Sequence, residues 1–386
     1  ERNGFKHLYL YDLDGGLVRQ LTDGQWVVND LQAVNEFNGK VFFTGRADTP
    51  LEQHLYYTNL ATSKPSAVIK VSKRAGFHRI TFSRDGYNYL DSFSNISQPQ
   101  QVSLHDDNGK RVTWLEQNAL NEQHPLTPYV DQLAKPTYGT IKAEDGQDLY
   151  YSLFKPVDFD PTKKYPVIVR VYGGPHAQRV TNSWSNSHLW TQVMLKRGYL
   201  VFQLDNRGSN YRGTKFENPI YKHLGVVEVN DQVAGVNYLR TLDYVAPKRI
   251  GIYGHSYGGY MALMALFKAS DYFAAGVSGA PVTDWALYDT HYTERYLSHP
   301  ATNKAGYEQS AVFPFIDGFK GKLLLYHGMA DDNVLFSNST KLMSMLQDKA
   351  IQFESMVYPG KKHSLRGKNT RIHQYNMIAN FFDRNL

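Results

Sequence analysis

Three side chains in the second half of the sequence have the types and the order needed to build a serine nucleophile. Ser256 stands in Gly254-His255-Ser256-Tyr257-Gly258, after the apolar run 249–253 and before the apolar run 260–266. That order of strand, turn and helix is the setting a nucleophile elbow requires. Glycines beside the serine relieve a turn too sharp for Cβ atoms. The turn also delivers the hydroxyl to a helix N-terminus, whose partial positive charge favours a developing anion. On its own a G-x-S-x-G string is weak, because an inert glycine-rich turn gives the same letters. The deciding question is whether a carboxylate and an imidazole follow in the order Ser, acid, His, with the acid after a late strand and the His after the last one. Asp331 follows the run 322–326. His363 follows the run 352–357, in Tyr358-Pro359-Gly360-Lys361-Lys362-His363. In this arrangement His363 takes the Ser256 proton, and Asp331 holds the imidazole in the required tautomer and stabilises its cation. Asp332 competes with Asp331, and His327 precedes the same turn. A surface turn aspartate and a hydrogen-bonded structural histidine are the ordinary fates of such residues.

An oxyanion hole needs two donors, and one is expected from the backbone N–H of Tyr257, the residue after the serine. For the second, the run 165–171 ends in Tyr172-Gly173-Gly174-Pro175. A glycine N–H or the Tyr172 hydroxyl could supply it, and a plain loop with a packed tyrosine reads equally well.

The elements that must position these groups are strands alternating with helical stretches. Runs at 165–171, 199–204, 249–253, 274–278, 322–326 and 352–357 are short and nearly continuously apolar. Such strands, separated by helical crossovers, predict a mostly parallel sheet covered on both faces, the α/β-hydrolase architecture. Before them the pattern is different. Runs at 5–11, 40–44, 54–58, 79–83 and 101–105 alternate with turns such as Asp14-Gly15-Gly16, Asp85-Gly86 and Asn108-Gly109. This is antiparallel β-structure spaced for propeller blades or a sandwich. Strands for two or three blades fall short of the four that a closed propeller needs, which predicts a propeller truncated at its N-terminal side. Residues 118–136 read as polar, helical and marked by Pro125, Pro128 and Pro136. The domain boundary is placed there, with β-propeller blades over 1–127 and the hydrolase domain over 128–386.

Composition bounds the rest. With 386 residues, 42% of them hydrophobic and 20% charged, two folded domains are expected and disorder is not. The net charge of +6 is dispersed, so no nucleic-acid partner is read from it. Without cysteine there is no disulfide, thiol nucleophile or Cys-type metal site. No cofactor or metal is expected. No run has the length of a membrane span, and the first residues lack both Met and a signal-peptide core, so the numbering is read as starting inside a longer polypeptide.

Five ordered motifs then carry a resemblance: Tyr172-Gly173-Gly174-Pro175, Asp205-Asn206-Arg207-Gly208-Ser209, Gly254 through Gly259, Trp285 through Tyr296, and His327-Gly328-Met329-Ala330-Asp331-Asp332-Asn333-Val334. Together they resemble the prolyl oligopeptidase clan, in particular its dipeptidyl peptidase IV family, and the β-rich start looks like that family's last propeller blades. The resemblance implies that Ser256, Asp331 and His363 are the triad and that the Tyr172 hydroxyl and the Tyr257 N–H form the oxyanion hole. It implies that Tyr257, Val282, Trp285, Tyr288, Tyr292 and Val334 line a pocket for proline or alanine at the penultimate substrate position, and that Asn333 binds a substrate carbonyl. A flat apolar ring suits an aromatic box, although Trp285, Tyr288 and Tyr292 also have the spacing of an ordinary packed helix face. The implied activity is a serine peptidase releasing N-terminal dipeptides from peptides with penultimate proline or alanine. Acylaminoacyl-peptidase, prolyl endopeptidase or esterase action with the same triad is the alternative, and a non-catalytic propeller binding protein is disfavoured by the intact triad. The resemblance also suggests a homodimer and a periplasmic, cell-surface or secreted location. His255 stands where close relatives of the animal enzyme carry Trp, and His176 where they carry Cys. The family's paired glutamates that hold a substrate amine belong to an earlier propeller segment with no counterpart found in these 386 residues.

Overall fold

The computed structural model describes residues 1–386 apart from Ser66, Asn186 and the side chain of Ser187. Glu1–Lys135, Val180–Leu189 and Asn210–Glu217 form one compact unit; Pro136–Arg179, Trp190–Ser209 and Asn218–Leu386 form the other.

The first unit is antiparallel. Strands β1 (Tyr9–Tyr11) and β2 (Leu17–Gln20) pair across a turn in which Gly15 takes φ +85° and the Asp12 carboxylate accepts from the Asp14 and Gly16 N–H groups. Two four-stranded meanders follow. One contains β3 (Val28–Asn35), β4 (Lys40–Gly45), β5 (His54–Asn59) and β6 (Ile69–Lys70). The other contains β7 (Phe77–Phe82), β8 (Asn88–Asn95), β9 (Gln98–Asp106) and β10 (Arg111–Glu116). Each meander pairs its strands in chain order, which is the blade pattern. Phe42, Leu55, Val71, Ile80 and Tyr89 form a buried cluster drawn from both.

Every run expected as a strand here overlaps one, but the first begins only at Tyr9, and β2, β3, β6, β8 and β10 were not anticipated. The reason is visible in β8, whose inward positions are Tyr89, Asp91 and Phe93: a buried carboxylate interrupts the apolar alternation. The helical reading of 118–136 is also corrected. The regular structure there is a six-residue 3-10 helix, Thr127–Gln132, because Pro125 and Pro128 offer no N–H, and Pro136 already opens the next strand.

The second unit is built on an eight-stranded sheet. Its strands are β11 (Pro136–Lys142), β12 (Asp148–Phe154), β13 (Tyr165–Arg170), β14 (Leu200–Leu204), β15 (Val245–His255), β16 (Ala275–Gly279), β17 (Lys322–Gly328) and β18 (Glu354–Tyr358). Their order is β11-β12-β14-β13-β15-β16-β17-β18. All pairs from β14 onward are parallel, whereas β11, β12 and β14 are antiparallel. Strand β14 is apolar at four of its five positions and buried at all of them, as a strand covered on both faces must be. The hairpin β11-β12 was missed, since β11 is half exposed and its Thr and Gly residues blur the period. The helix Tyr257–Lys268 is buried from Tyr257 to Phe267 and packs on β15 and β16. No helix among the described residues is long and apolar enough to cross a membrane.

Candidate active site

Strand β15 ends one residue before Ser256, and the helix Tyr257–Lys268 starts one residue after it. Ser256 itself sits at φ 62°, ψ −124°, a conformation that costs a non-glycine residue about 1–3 kcal/mol. Its surroundings hold it there. The Ser256 N–H donates to Gly279 O (2.8 Å), and Ser256 O accepts from the Tyr260 N–H (3.0 Å). A Cβ on Gly254 would lie 2.1 Å from Gly258 O, one on Gly258 would lie 2.4 Å from Val171 O, and one on Gly259 would lie 2.4 Å from Gly279 O. The three glycines are therefore required by backbone packed on backbone at the ends of β13, β15 and β16.

Asp331 follows β17 and is buried. Its Oδ2 accepts from His363 Nδ1 (2.7 Å) and from His327 Nε2 (3.0 Å), and its Oδ1 accepts from the Asn333 and Val334 N–H groups (both 3.0 Å). Burial alone would raise this carboxyl, but the hydrogen bonds from His327, His363 and Asn333 outweigh it and hold the group well below the usual carboxylate range. Asp332 turns away to the exposed Lys362 ammonium. His327 is fully buried: it donates from Nε2 to Asp331 and to Val334 O (2.9 Å), and Nδ1 accepts from the Ser339 hydroxyl (2.7 Å). It is a structural histidine, and its bond to Asp331 is the part that its sequence setting did not reveal.

His363 is linked to the residue before Ser256, His255. The His255 and His363 ring centroids are 4.9 Å apart, and His255 Nε2 donates to His363 O (2.9 Å). Among the described residues no hydrogen bond joins the Ser256 hydroxyl to the His363 ring.

The Tyr257 N–H opens a helix, where it has no intrahelical acceptor. Gly174 lets the Tyr172 and Tyr257 rings approach to 6.1 Å, since a Cβ there would lie 2.9 Å from both. The Arg179 guanidinium covers the Tyr172 ring at 4.2 Å. Asn206 supports this loop, donating from Nδ2 to Gly173 O (3.0 Å) and Arg207 O (2.8 Å) while its Oδ1 accepts from Gln232 Nε2 (3.0 Å). Arg207 is in turn clamped by the buried Asp231 (2.7 Å).

Next to the turn lies an aromatic box. Trp285 is 5.4 Å from Tyr257, 5.9 Å from Tyr288 and 6.0 Å, stacked, from Tyr292. Val282 and Val334 are buried. The helical spacing of the aromatics is not one helix face: Trp285 lies in a 3-10 turn, Tyr288 in the connection after it, and Tyr292 in the helix Thr290–Leu297. Asp284 and Asp289 cap the two starts, accepting from the Ala286 and Tyr292 N–H groups. The Tyr288 hydroxyl donates to Asn333 Oδ1 (2.9 Å), which turns the exposed Asn333 amide N–H groups outward. Burial pushes the Tyr257, Tyr288 and Tyr292 phenols up, so they remain hydroxyl donors.

Sequence reasoning passed over Glu228. It is fully buried, raised by desolvation, and accepts from the Tyr257 hydroxyl (2.8 Å), the Gly225 N–H (3.0 Å) and the Val226 N–H (3.1 Å). A glutamate in a first helical turn reads as an ordinary dipole partner, and nothing local announces the tyrosine it holds.

Residues 184–386 match the prolyl oligopeptidase family. The chain belongs to that family. Residues 1–100 match the dipeptidyl peptidase IV N-terminal region, which places the chain with the dipeptidyl peptidase IV family and fits a propeller segment over those residues. Dipeptidyl peptidase 8 of Mus musculus is 35% identical over 381 residues, covering 95% of this chain and 42% of that protein. Dipeptidyl peptidase 4 of Trichophyton equinum is 33% identical over 391 residues, covering 98% of this chain and 49% of that one. The crystal structure of Porphyromonas gingivalis dipeptidyl peptidase 4 superposes with a TM-score of 0.93 at 35% identity, covering 100% of this chain and 54% of that one. The chain thus spans about half the length of these prolyl oligopeptidase family relatives.

Proposed function

We propose that the protein is a serine peptidase that releases N-terminal dipeptides from peptides with proline, or alanine, in the penultimate position. In this reading the Ser256 hydroxyl attacks the scissile carbonyl and His363 takes its proton. Asp331 keeps Nδ1–H directed at itself and stabilises the imidazolium. The Tyr257 N–H and the Tyr172 hydroxyl receive the oxyanion. His363 then protonates the leaving amine, and water cleaves the acyl-enzyme on Ser256 with His363 again as base. Tyr257, Val282, Trp285, Tyr288, Tyr292 and Val334 surround the proline ring, and the outward Asn333 amide donates to a substrate carbonyl. The observation that carries the reading is the 2.7 Å Asp331–His363 bond on a loop held to the residue next to a strained, helix-capping serine. The similarity of residues 1–100 to the dipeptidyl peptidase IV N-terminal region supports dipeptide release over the endopeptidase and esterase alternatives.

The test compares Ala-Pro-p-nitroanilide with its acetylated form. The free-amine substrate is cleaved and the acetylated one is not; equal cleavage of both eliminates amine recognition, and turnover of small esters alone eliminates peptidase action.

A further inference from the structure

The family's reaction uses one histidine, yet a second imidazole, that of the residue before Ser256, lies against His363. His255 is the last residue of β15. Its Nε2 faces the main-chain carbonyl of His363 at 2.9 Å, and its Nδ1 faces the Tyr326 hydroxyl at 3.1 Å. A carbonyl oxygen can only accept, so Nε2 carries the proton and Nδ1 accepts from Tyr326. The His255 ring stacks on Tyr326 (5.8 Å, 18° between planes), and Tyr326 reaches this position because residue 279 is glycine: a Cβ there would lie 2.0 Å from the phenol ring. Burial, reinforced by the neighbouring His363, pushes the His255 imidazole down to about 4, so it is neutral wherever His363 works as a base.

The loop that receives this bond has little else to fix it at the histidine. Lys362, Ser364 and Arg366 are exposed. The turn is held on either side by the Ala330 N–H donating to Lys361 O (3.1 Å) and by the Leu365 N–H donating to Lys362 O (3.0 Å). Among the described residues, the bond from His255 is the one hydrogen bond made by the His363 main chain. Asp331 sets the rotation of the His363 ring, whereas His255 sets where the backbone that carries the ring stands. That backbone is thereby tied to the strand that ends at His255, one residue before Ser256.

We propose that His255 is a positioning residue: through its Nε2–H bond to His363 O, and anchored by Tyr326, it holds the His363 loop at the distance from Ser256 that proton transfer requires. This rests on the triad reading above. Proton transfer is steep in distance, and a displacement of about 1 Å costs on the order of 100-fold in rate.

The experiment measures kcat, KM for Ala-Pro-p-nitroanilide and the rate of fluorophosphonate inactivation in His255→Phe, His255→Gln and Tyr326→Phe, with melting temperatures as the check on folding. His255→Phe keeps a ring and loses the donor. The expected result is kcat lower by about 10- to 100-fold, inactivation slowed in parallel and KM little changed. His255→Gln, whose amide N–H can reach the same carbonyl, regains most of the loss. Tyr326→Phe lowers kcat without moving KM. The proposal is overturned if folded His255→Phe matches the wild type, if the loss lies in KM, or if folded His255→Gln is as poor as His255→Phe. Should His255→Phe not fold, an unchanged kcat in Tyr326→Phe overturns it. Ser256→Ala runs alongside: activity surviving in that variant defeats the triad reading itself, whereas an inactive Ser256→Ala beside a wild-type His255→Phe defeats the positioning role alone.

Discussion

In the proposed reaction the Ser256 turn and the His363 loop supply the two halves, and they are held in different ways. The turn is fixed by main chain against main chain, with Gly254, Gly258 and Gly259 each standing where a Cβ would lie within 2.4 Å of a backbone carbonyl oxygen. The loop is fixed by side chains reaching in from elsewhere: His255 from β15, Tyr326 behind it, and Asp331, itself held by His327, which Ser339 holds in turn. Steric demands tolerate one residue type and compress into a short string. Polar demands can be met by several residue types at distant positions. The rigid half of the site is therefore written locally in the sequence, and the adjustable half is dispersed.

Substitutions that break one support or the other sharpen this contrast. The largest effect is expected from Asp331→Asn, which keeps the shape but favours the wrong His363 tautomer: kcat falls about 10⁴-fold, whereas Asp332→Asn, which removes only an exposed ion pair, leaves it nearly unchanged. Steady-state kinetics on both variants checks the pair, and comparable losses would move the acid role away from Asp331. Next is Gly254→Ala, which drives a methyl group into Gly258 O. Overpacking of this kind costs about 1–3 kcal/mol, seen as a lower melting temperature, and labelling of Ser256 is lost. A variant that folds and labels normally would show that the turn is less rigid than described. The smallest effect concerns pH. The folded Asp331 carboxyl lies below its ordinary value of 3.8. Its stabilising contribution is therefore full above that pH and is lost as pH falls through the lower folded value. Melting temperatures between about pH 5 and pH 2 should decline less steeply in Asp331→Asn than in the wild type; parallel curves would remove this term.

Much of the architecture could be read in advance for the same reason. The six expected strands of the hydrolase sheet are present; those inside the sheet are marked by apolar runs because both their faces are covered, whereas the edge strand β18 is mostly exposed and mixes polar with apolar residues. The order Ser256, Asp331, His363 was legible from the elements alone, as was the rivalry of Asp332. Strands with one polar face, such as β8 with its buried Asp91 and the half-exposed β11, carry no such mark and were missed. The aromatic box was reached through resemblance. From spacing alone, Trp285, Tyr288 and Tyr292 look like one helix, and it takes the capping aspartates 284 and 289 to break them into a turn, a connection and a helix. Glu228 and His255 were invisible as supports, because a residue that acts through a hydrogen bond to a distant partner leaves no periodic trace.

The most direct test of the account is to treat the protein with a fluorophosphonate and map the modified residue by mass spectrometry in the wild type, in Asp331→Asn and in His363→Ala. The account predicts stoichiometric modification of Ser256 in the wild type, much slower modification in Asp331→Asn, and none on the same timescale in His363→Ala. Modification of a different residue, or of Ser256 at an undiminished rate once the imidazole is gone, would contradict it.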